Sequence, residues 1–180
     1  MEKLFGKYEE STMSRVHLEK ITPMNWHDVE DLRVGKDQNF LADNVSSLAL
    51  AGVIREAGYN VYTFGVYLDE EPIGFAMIGY DIPFDDENDE YEKYWFTRSS
   101  YVLWRFMIDE RYQKQGYGRQ ALNLILDFIR SAPARQAKYV WLCYGLDNVV
   151  ARKLYASIGF KEVPEAYLEE DEEMPAVLEL

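Results

Sequence analysis

Apolar residues in this chain come first in strand-length blocks and later in blocks that alternate between strand and helix length. Val16–Ile21 alternates apolar and polar positions, as an edge strand does. Thr22 or Asn25 can cap a short helix holding Trp26, Val29, Leu32 and Arg33. A second helix is expected over Ser46–Ala57, with Leu48, Leu50, Val53 and Ile54 as its apolar residues and Gly58 placed to end it. Val61–Leu68 and Ile73–Tyr80 flank the turn Asp69–Pro72 and predict a hairpin. Tyr101–Ile108 reads as a long apolar strand, followed by a glycine-containing loop and a helix from about Gly118 to Arg130 that stops before Pro133. In that helix Leu122, Leu124, Ile125, Leu126, Phe128 and Ile129 cover most of the circumference, which predicts near-complete burial. Lys138–Tyr144 is another buried strand, Asn148–Ser157 a short helix closed by Gly159, and Phe160–Val163 with Ala176–Leu180 a closing pair of strands. Strands first, then β-loop-α-β-α-β, is the order of an α/β layered sheet.

The loop at residues 113–118, Gln-Lys-Gln-Gly-Tyr-Gly, carries the chemistry. A glycine-containing loop that opens a helix can turn free backbone N–H groups toward one anion. Gly116 and Gly118 have no side chain to hold a pyrophosphate away from those amides. Arg111, Lys114 and Arg119 add positive charge nearby. This arrangement suits a phosphorylated cofactor, although a plain tight turn into a helix reads the same way. Two other phosphate motifs are excluded. The P-loop needs four residues between its glycines and a Lys-Ser/Thr pair after the second. The dinucleotide fingerprint needs a third glycine and an early strand–helix unit.

Composition narrows the class. The chain has 180 residues, 48% of them hydrophobic, which is enough to bury one core. No apolar run approaches the about 18 residues a membrane span needs. Met1–Glu10 is charged and lacks the apolar stretch of a secretory leader. We expect residues 1–14 to form a flexible extension ahead of one domain over 15–180. A single cysteine, Cys143, excludes an internal disulfide and fits a cytoplasmic protein. With two histidines, it is too few for a zinc cage. The net charge of −13 argues against nucleic acid as a partner. Residues 81–92 carry seven carboxylates, and residues 165–173 carry six. These are either solvated loops or an electrostatic funnel for a polycation.

The run Ile108–Gly118, followed about thirty residues later by Asp147–Phe160, resembles the GNAT acetyltransferases. The resemblance covers roughly residues 15–165 in element order. Gln38–Asn44 with Ser47 and Leu48, then Gly74, Phe75 and Ala76, is similar to the branch containing bacterial spermine/spermidine acetyltransferases. It implies the GNAT fold, a central mixed but mostly antiparallel twisted sheet flanked by helices. It also implies an acetyl-CoA-dependent N-acetyltransferase acting by direct attack of an amine on the thioester. The cofactor would be held by the backbone of Phe106, Met107 and Ile108, by the loop Gln113, Lys114, Gln115, Gly116, Tyr117, Gly118 and Arg119, and by Asn148 and Lys153. Asn148 fits a helix N-cap equally well.

Tyr155 falls where the family carries its general acid. An unperturbed tyrosine, with a pKa of about 10, keeps its proton at neutral pH and can donate it to a leaving thiolate of pKa roughly 8.5. A packed aromatic between Leu154 and Phe160 is the other reading of Tyr155. An alkylamine of pKa about 10.4 is nearly all protonated at pH 7, and freeing it costs roughly 4–5 kcal/mol. Asp81, Glu87 and Glu110 are unranked candidates for the base. Arg105, a charge in a central strand, either pairs with a carboxylate structurally or orients an acceptor-site acid. Gln38, Phe40, Asp81 and Arg105 are the acceptor-site candidates. Trp26, Phe40, Tyr59, Tyr80, Phe84 and Tyr94 can line a cleft for alkylammonium by cation–π contact, or pack in the core. Cys143 reads as packing. The expected acceptor is a small polyamine. The alternatives are another small amine, an aminoglycoside, a protein N-terminus, or a non-catalytic CoA-binding sensor. A homodimer is common in the family.

Overall fold

The computed structural model describes residues 15–35, 43–82, 94–167 and 172–180. The expected extension at 1–14, the segment with Gln38 and Phe40, and most of the acidic loop, including Phe84 and Glu87, lie outside them.

A seven-stranded sheet runs in the order β1-β2-β3-β4-β5-β7-β6. Its first half is an antiparallel meander of β1 (Val16–Lys20), β2 (Asn60–Leu68), β3 (Glu71–Tyr80) and β4 (Tyr101–Ile108). Helices α1 (His27–Glu30) and α2 (Asn44–Glu56) connect β1 to β2. Helix α3 (Tyr117–Arg130) then carries the chain to β5 (Tyr139–Gly145), which lies parallel to β4. Helix α4 (Val149–Ile158) leads to β6 (Lys161–Glu162), and β7 (Glu173–Glu179) inserts antiparallel between β5 and β6. This is the predicted α/β fold, a mixed and mostly antiparallel sheet with helices on both faces.

Both faces of the central strands are covered, so their apolar runs hardly alternate. One core packs Leu122, Ile125, Leu126 and Ile129 of α3 and Tyr155 of α4 against Phe64, Ile78, Leu103 and Leu142. The other packs Val29 and Leu32 with Ala51 and Ile54 of α2 against Phe75, Met77, Trp141 and Val177. The sheet therefore separates an α3/α4 side from an α1/α2 side.

Several local expectations are corrected. The hairpin turn is tighter than Asp69–Pro72, because Glu71 and Pro72 already belong to β3. Helix α1 has no side-chain cap. Asn25 instead closes the preceding turn, accepting from the backbone N and Oγ1 of Thr22 at 2.7 and 3.0 Å. Helix α2 starts earlier than predicted because Asp43 caps it, accepting from Ser46 N at 2.8 Å. Helix α3 is amphipathic rather than buried all round. Leu124 and Phe128 are only half-buried, and Gln120, Asn123, Asp127 and Arg130 face solvent. The count of apolar residues misled because they gather on one stripe.

Candidate functional site

The sheet opens in its middle. Strands β4 and β5 pair only at Tyr101–Val140 and Val102–Trp141. The register of β3 against β4 shifts between Met77 and Ile78, so Trp104 is the extra residue of a bulge in β4. The segment that follows, Arg105 to Ile108, therefore has backbone groups on the β5 side that no described strand satisfies. An extended chain can pair with them. Phe106, Met107 and Ile108, expected to hold a pantetheine arm, lie in this segment.

The polypeptide then turns through a short 3₁₀ helix, Glu110–Tyr112, into α3. Lys114 at φ 62° and Gly116 at φ 87° both adopt left-handed backbone, which turns the chain sharply ahead of the helix. Gly116 is the N-cap of α3 and supplies no side-chain hydrogen bond. The first helical bond runs from Gln120 N to Gly116 O at 3.3 Å. The amides of Tyr117, Gly118 and Arg119 thus have no helical acceptors and form an anion-receiving end.

Asp109, which the sequence pattern did not single out, holds this end in place. It is 2% exposed. Its Oδ2 accepts from Arg33 N at 3.0 Å, and its Oδ1 accepts from Arg111 N at 3.0 Å and Arg111 Nε at 2.7 Å. Its own amide donates to Ile73 O at 2.8 Å. Burial alone would raise this carboxyl, but the bonds from Arg111 and Arg33 outweigh it and hold the group below the usual carboxylate range. The signal was present as an acid directly after an apolar strand, where it also reads as an ordinary turn residue.

The loop side chains divide into supports and exposed charges. Gln113 Nε2 donates to Ile108 O at 2.9 Å, and Gln115 Nε2 to Arg111 O at 3.1 Å, so both brace the turn. Arg111 is committed to Asp109. Arg119 Nη2 donates to Ser157 Oγ at 2.6 Å and ties α3 to α4. Lys114 and Lys153 are exposed, and Lys153 sits one turn before Ser157 on α4. Gly118 differs from expectation. A Cβ there would meet Ile108 Cγ1 and Leu154 Cδ2, each at 3.7 Å. Its missing side chain faces the protein, letting α3 settle on β4 and α4, while its amide belongs to the open end.

Helix α4 borders the other side of the opening. Asn148 is its N-cap, with Oδ1 accepting from Ala151 N at 3.1 Å. Tyr155 is buried, with ring centroids 5.7 Å from Tyr144 and 5.8 Å from Phe160. Burial pushes its hydroxyl above the usual tyrosine range. A cleft of about 280 Å³ beside it is lined by Tyr144, Arg152, Tyr155, Phe160 and Glu162. There Glu162 accepts from Tyr144 Oη at 2.6 Å and pairs with Arg152 Nε at 2.7 Å.

The remaining candidates do not converge. Asp81 is a turn residue at φ 49° whose Oδ1 accepts from Ser99 N at 2.7 Å. It follows Tyr80, which pairs with Tyr101 at the N-terminal end of β4, opposite the phosphate end. Glu110 lies at the far end, its amide bound to Arg33 O at 2.8 Å. Tyr80 packs edge-on against Tyr101, and Tyr94 stacks on Phe96, so both are structural aromatics. Trp26 packs on neighbouring His27, and Tyr59 is 39% exposed. Arg105 forms no contact ion pair among the described residues. Its Nη1 donates to Trp104 O at 2.8 Å, its Nε is buried without a partner, and Glu173 is the carboxylate acting on it.

Among the described residues, no helix is long and apolar enough to cross a membrane, and no cluster of metal-binding side chains occurs. Residues 24–160 match the model of the acetyltransferase (GNAT) family. The spermine/spermidine N(1)-acetyltransferase of Bacillus subtilis strain 168 is 30% identical over 146 residues, covering 81% of this chain and 88% of that one. Among solved structures, aminoglycoside acetyltransferase AAC(6')-Ib in complex with coenzyme A superposes with a TM-score of 0.69 at 15% identity, covering 92% of this chain and 95% of that one. The PaiA N-acetyltransferase of Thermoplasma acidophilum, also with coenzyme A, gives 0.61 at 12% identity, covering 92% and 99%.

Proposed function

The chain belongs to the acetyltransferase (GNAT) family, and on that premise we propose that it acetylates a primary amine of a small polyamine of the spermidine or spermine type. The observation that carries the acceptor class is the 30% identity to a spermine/spermidine acetyltransferase over most of both chains. Acetyl-CoA is the acetyl donor. When bound, it supplies the thioester carbonyl that the amine attacks and the sulfur that leaves.

The residues present fit that donor. The edge of β4 from Phe106 to Ile108 that β5 leaves without a strand partner suits the amide-bearing pantetheine arm, and the open amides of Tyr117, Gly118 and Arg119 suit its pyrophosphate. Gln113 and Gln115 shape the loop from behind, while Lys114, Arg119 and Lys153 supply exposed charge. Asn148 fixes the start of α4 and so the height of Tyr155. The Tyr155 hydroxyl is too reluctant to ionise to lose its proton before charge develops beside it. It therefore keeps a proton with which to hydrogen-bond a departing anion.

A thiol-release assay over spermidine, spermine, an aminoglycoside and a peptide N-terminus tests the reading. We expect the highest kcat/KM for a polyamine. Faster turnover of the aminoglycoside or the peptide reassigns the acceptor. Tight CoA binding without turnover of any amine makes the chain a sensor.

A further inference from the structure

Arg105 places a cation on the α1/α2 side of the opening in the sheet. Arg105 lies three residues past the last β4–β5 pair, directly after the bulge. On β7 the inward residues alternate. Met174 and Ala176 pack with the α3/α4 core, while Val177 packs with the α1/α2 core. Glu173, opposite Gly145 of β5, therefore stands on the α1/α2 side. Arg105 stands across from Met77 of the α1/α2 core, so Arg105 and Glu173 share the face opposite Tyr155, and the Glu173 charge reaches Arg105. On that face β5 contributes Tyr139 and Cys143, and α2 contributes the uncharged Asn44. No contact pair among the described residues neutralises the guanidinium, and its Nε is buried without an acceptor. Arginine stays charged even when half-buried.

A buried, fixed cation next to a second nitrogen disfavours the protonated form of that nitrogen. We propose that Arg105 keeps the reacting amine of the acceptor in its neutral form, while Glu173, on the same face two strands over, receives the positive charge on the rest of the molecule. The proposal rests on the reading of a primary-amine acceptor. The step is a proton loss: the ammonium N–H bond breaks, the proton passes to solvent water, and the lone pair stays on nitrogen for attack. No strong base is needed, which agrees with Asp81 being locked in a turn and Glu110 lying at the far end of β4.

The test is kcat against pH, from about pH 6 to about pH 10 with both substrates saturating, because its acidic limb reports the bound amine. In R105Q the limb should move up by about one pH unit, with kcat at pH 7 falling about 10-fold and recovering near pH 10. In E173Q it should move the opposite way, with a raised KM for spermidine. Calorimetry in buffers of different ionisation enthalpy should show fewer protons released on spermidine binding to R105Q than to wild type. A uniform fall in kcat at every pH, as loss of an oxyanion donor or of packing gives, overturns the proposal. If R105Q does not fold, E173Q decides, since Glu173 is exposed: an unmoved limb, or one that rises as loss of a base would cause, overturns it. Turnover of an amine with unmoved limbs sinks this proposal alone. Absence of turnover with any primary amine sinks the acceptor reading and this proposal together.

Discussion

Replacing Asp109 with asparagine probes the joint between the opened strand and the phosphate end. The side chain keeps its volume but loses its charge and one acceptor oxygen. Wild-type Asp109 accepts from Arg33 N, Arg111 N and Arg111 Nε at 2.7–3.0 Å, in a site where it is 2% exposed. An amide oxygen can satisfy one side, and its NH₂ then faces a donor on the other. Weakening a charge-assisted bond and stranding a buried N–H cost roughly 1–3 kcal/mol each, so we expect about 3 kcal/mol. For a chain of this length each kcal/mol moves Tm by about 2–4 °C, which gives a fall of roughly 6–12 °C. The pH dependence has a definite sign. The folded carboxyl is held below its unfolded value of about 4, so its contribution is full above that value and is lost as pH falls through the folded one. Urea unfolding should show the whole gap between wild type and D109N at pH 7 and a closing gap below about pH 4. A gap under about 0.5 kcal/mol at pH 7, or one unchanged near pH 3, refutes the reasoning.

Tyr155→Phe keeps the ring and removes the proton donor. We expect kcat to fall about 10²-fold or more with acetyl-CoA affinity unchanged, and wild-type kcat would reduce Tyr155 to a core aromatic. At Gly118 the 3.7 Å between a Cβ and its neighbours on Ile108 and Leu154 admits alanine but not the branches of valine. G118A should retain stability, while G118V should be less stable by roughly 1–3 kcal/mol through overpacking against those two side chains. Equal melting of the two would show that the helix end does not pack there. Converting Asp85, Asp86 and Glu87 to amides should raise KM for spermidine, more so at low salt. An unaltered KM at low salt makes that loop a solvated connector.

Local patterns carried much of the fold, because strands β2 to β5 announce themselves as apolar runs of strand length and helices α2 to α4 by period and a closing residue. Gly58, Gly159 and Asn148 end or begin helices where the rules place them. The positions that escaped the pattern depend on partners distant in sequence. Asp109 acts through Arg33, 76 residues away. The direction of the Gly118 Cβ depends on Leu154, and the carboxylate charge that reaches Arg105 comes from β7, two strands over. The opening itself is invisible in sequence, since Tyr101–Ile108 is apolar almost throughout whether or not its C-terminal half finds a neighbour. Of the expected cofactor residues, Gln113, Gln115 and Asn148 prove to have structural bonds that composition could not reveal.

The charge distribution reconciles an acidic chain with an anionic cofactor and the proposed cationic acceptor. A net charge of −13 would repel coenzyme A if it were spread evenly. It is not, because Arg111 is offset by Asp109 and Arg152 by Glu162, which leaves Lys114, Arg119 and Lys153 as the local field at the helix end. Carboxylates gather in residues 81–92 and 165–173 of the sequence, and Arg105 sits half-buried in the sheet. As a funnel, those carboxylates would meet a polyamine on approach, and under the proposed role of Arg105 it would meet positive charge at the point of transfer. The first draws an ammonium in, and the second favours its losing a proton once there. Exposed charges are screened over about 10 Å in ordinary salt and buried ones much less. Under these two proposals, capture of the acceptor and release of its proton are separable functions of different residues, the first sensitive to salt and the second governed by a half-buried cation.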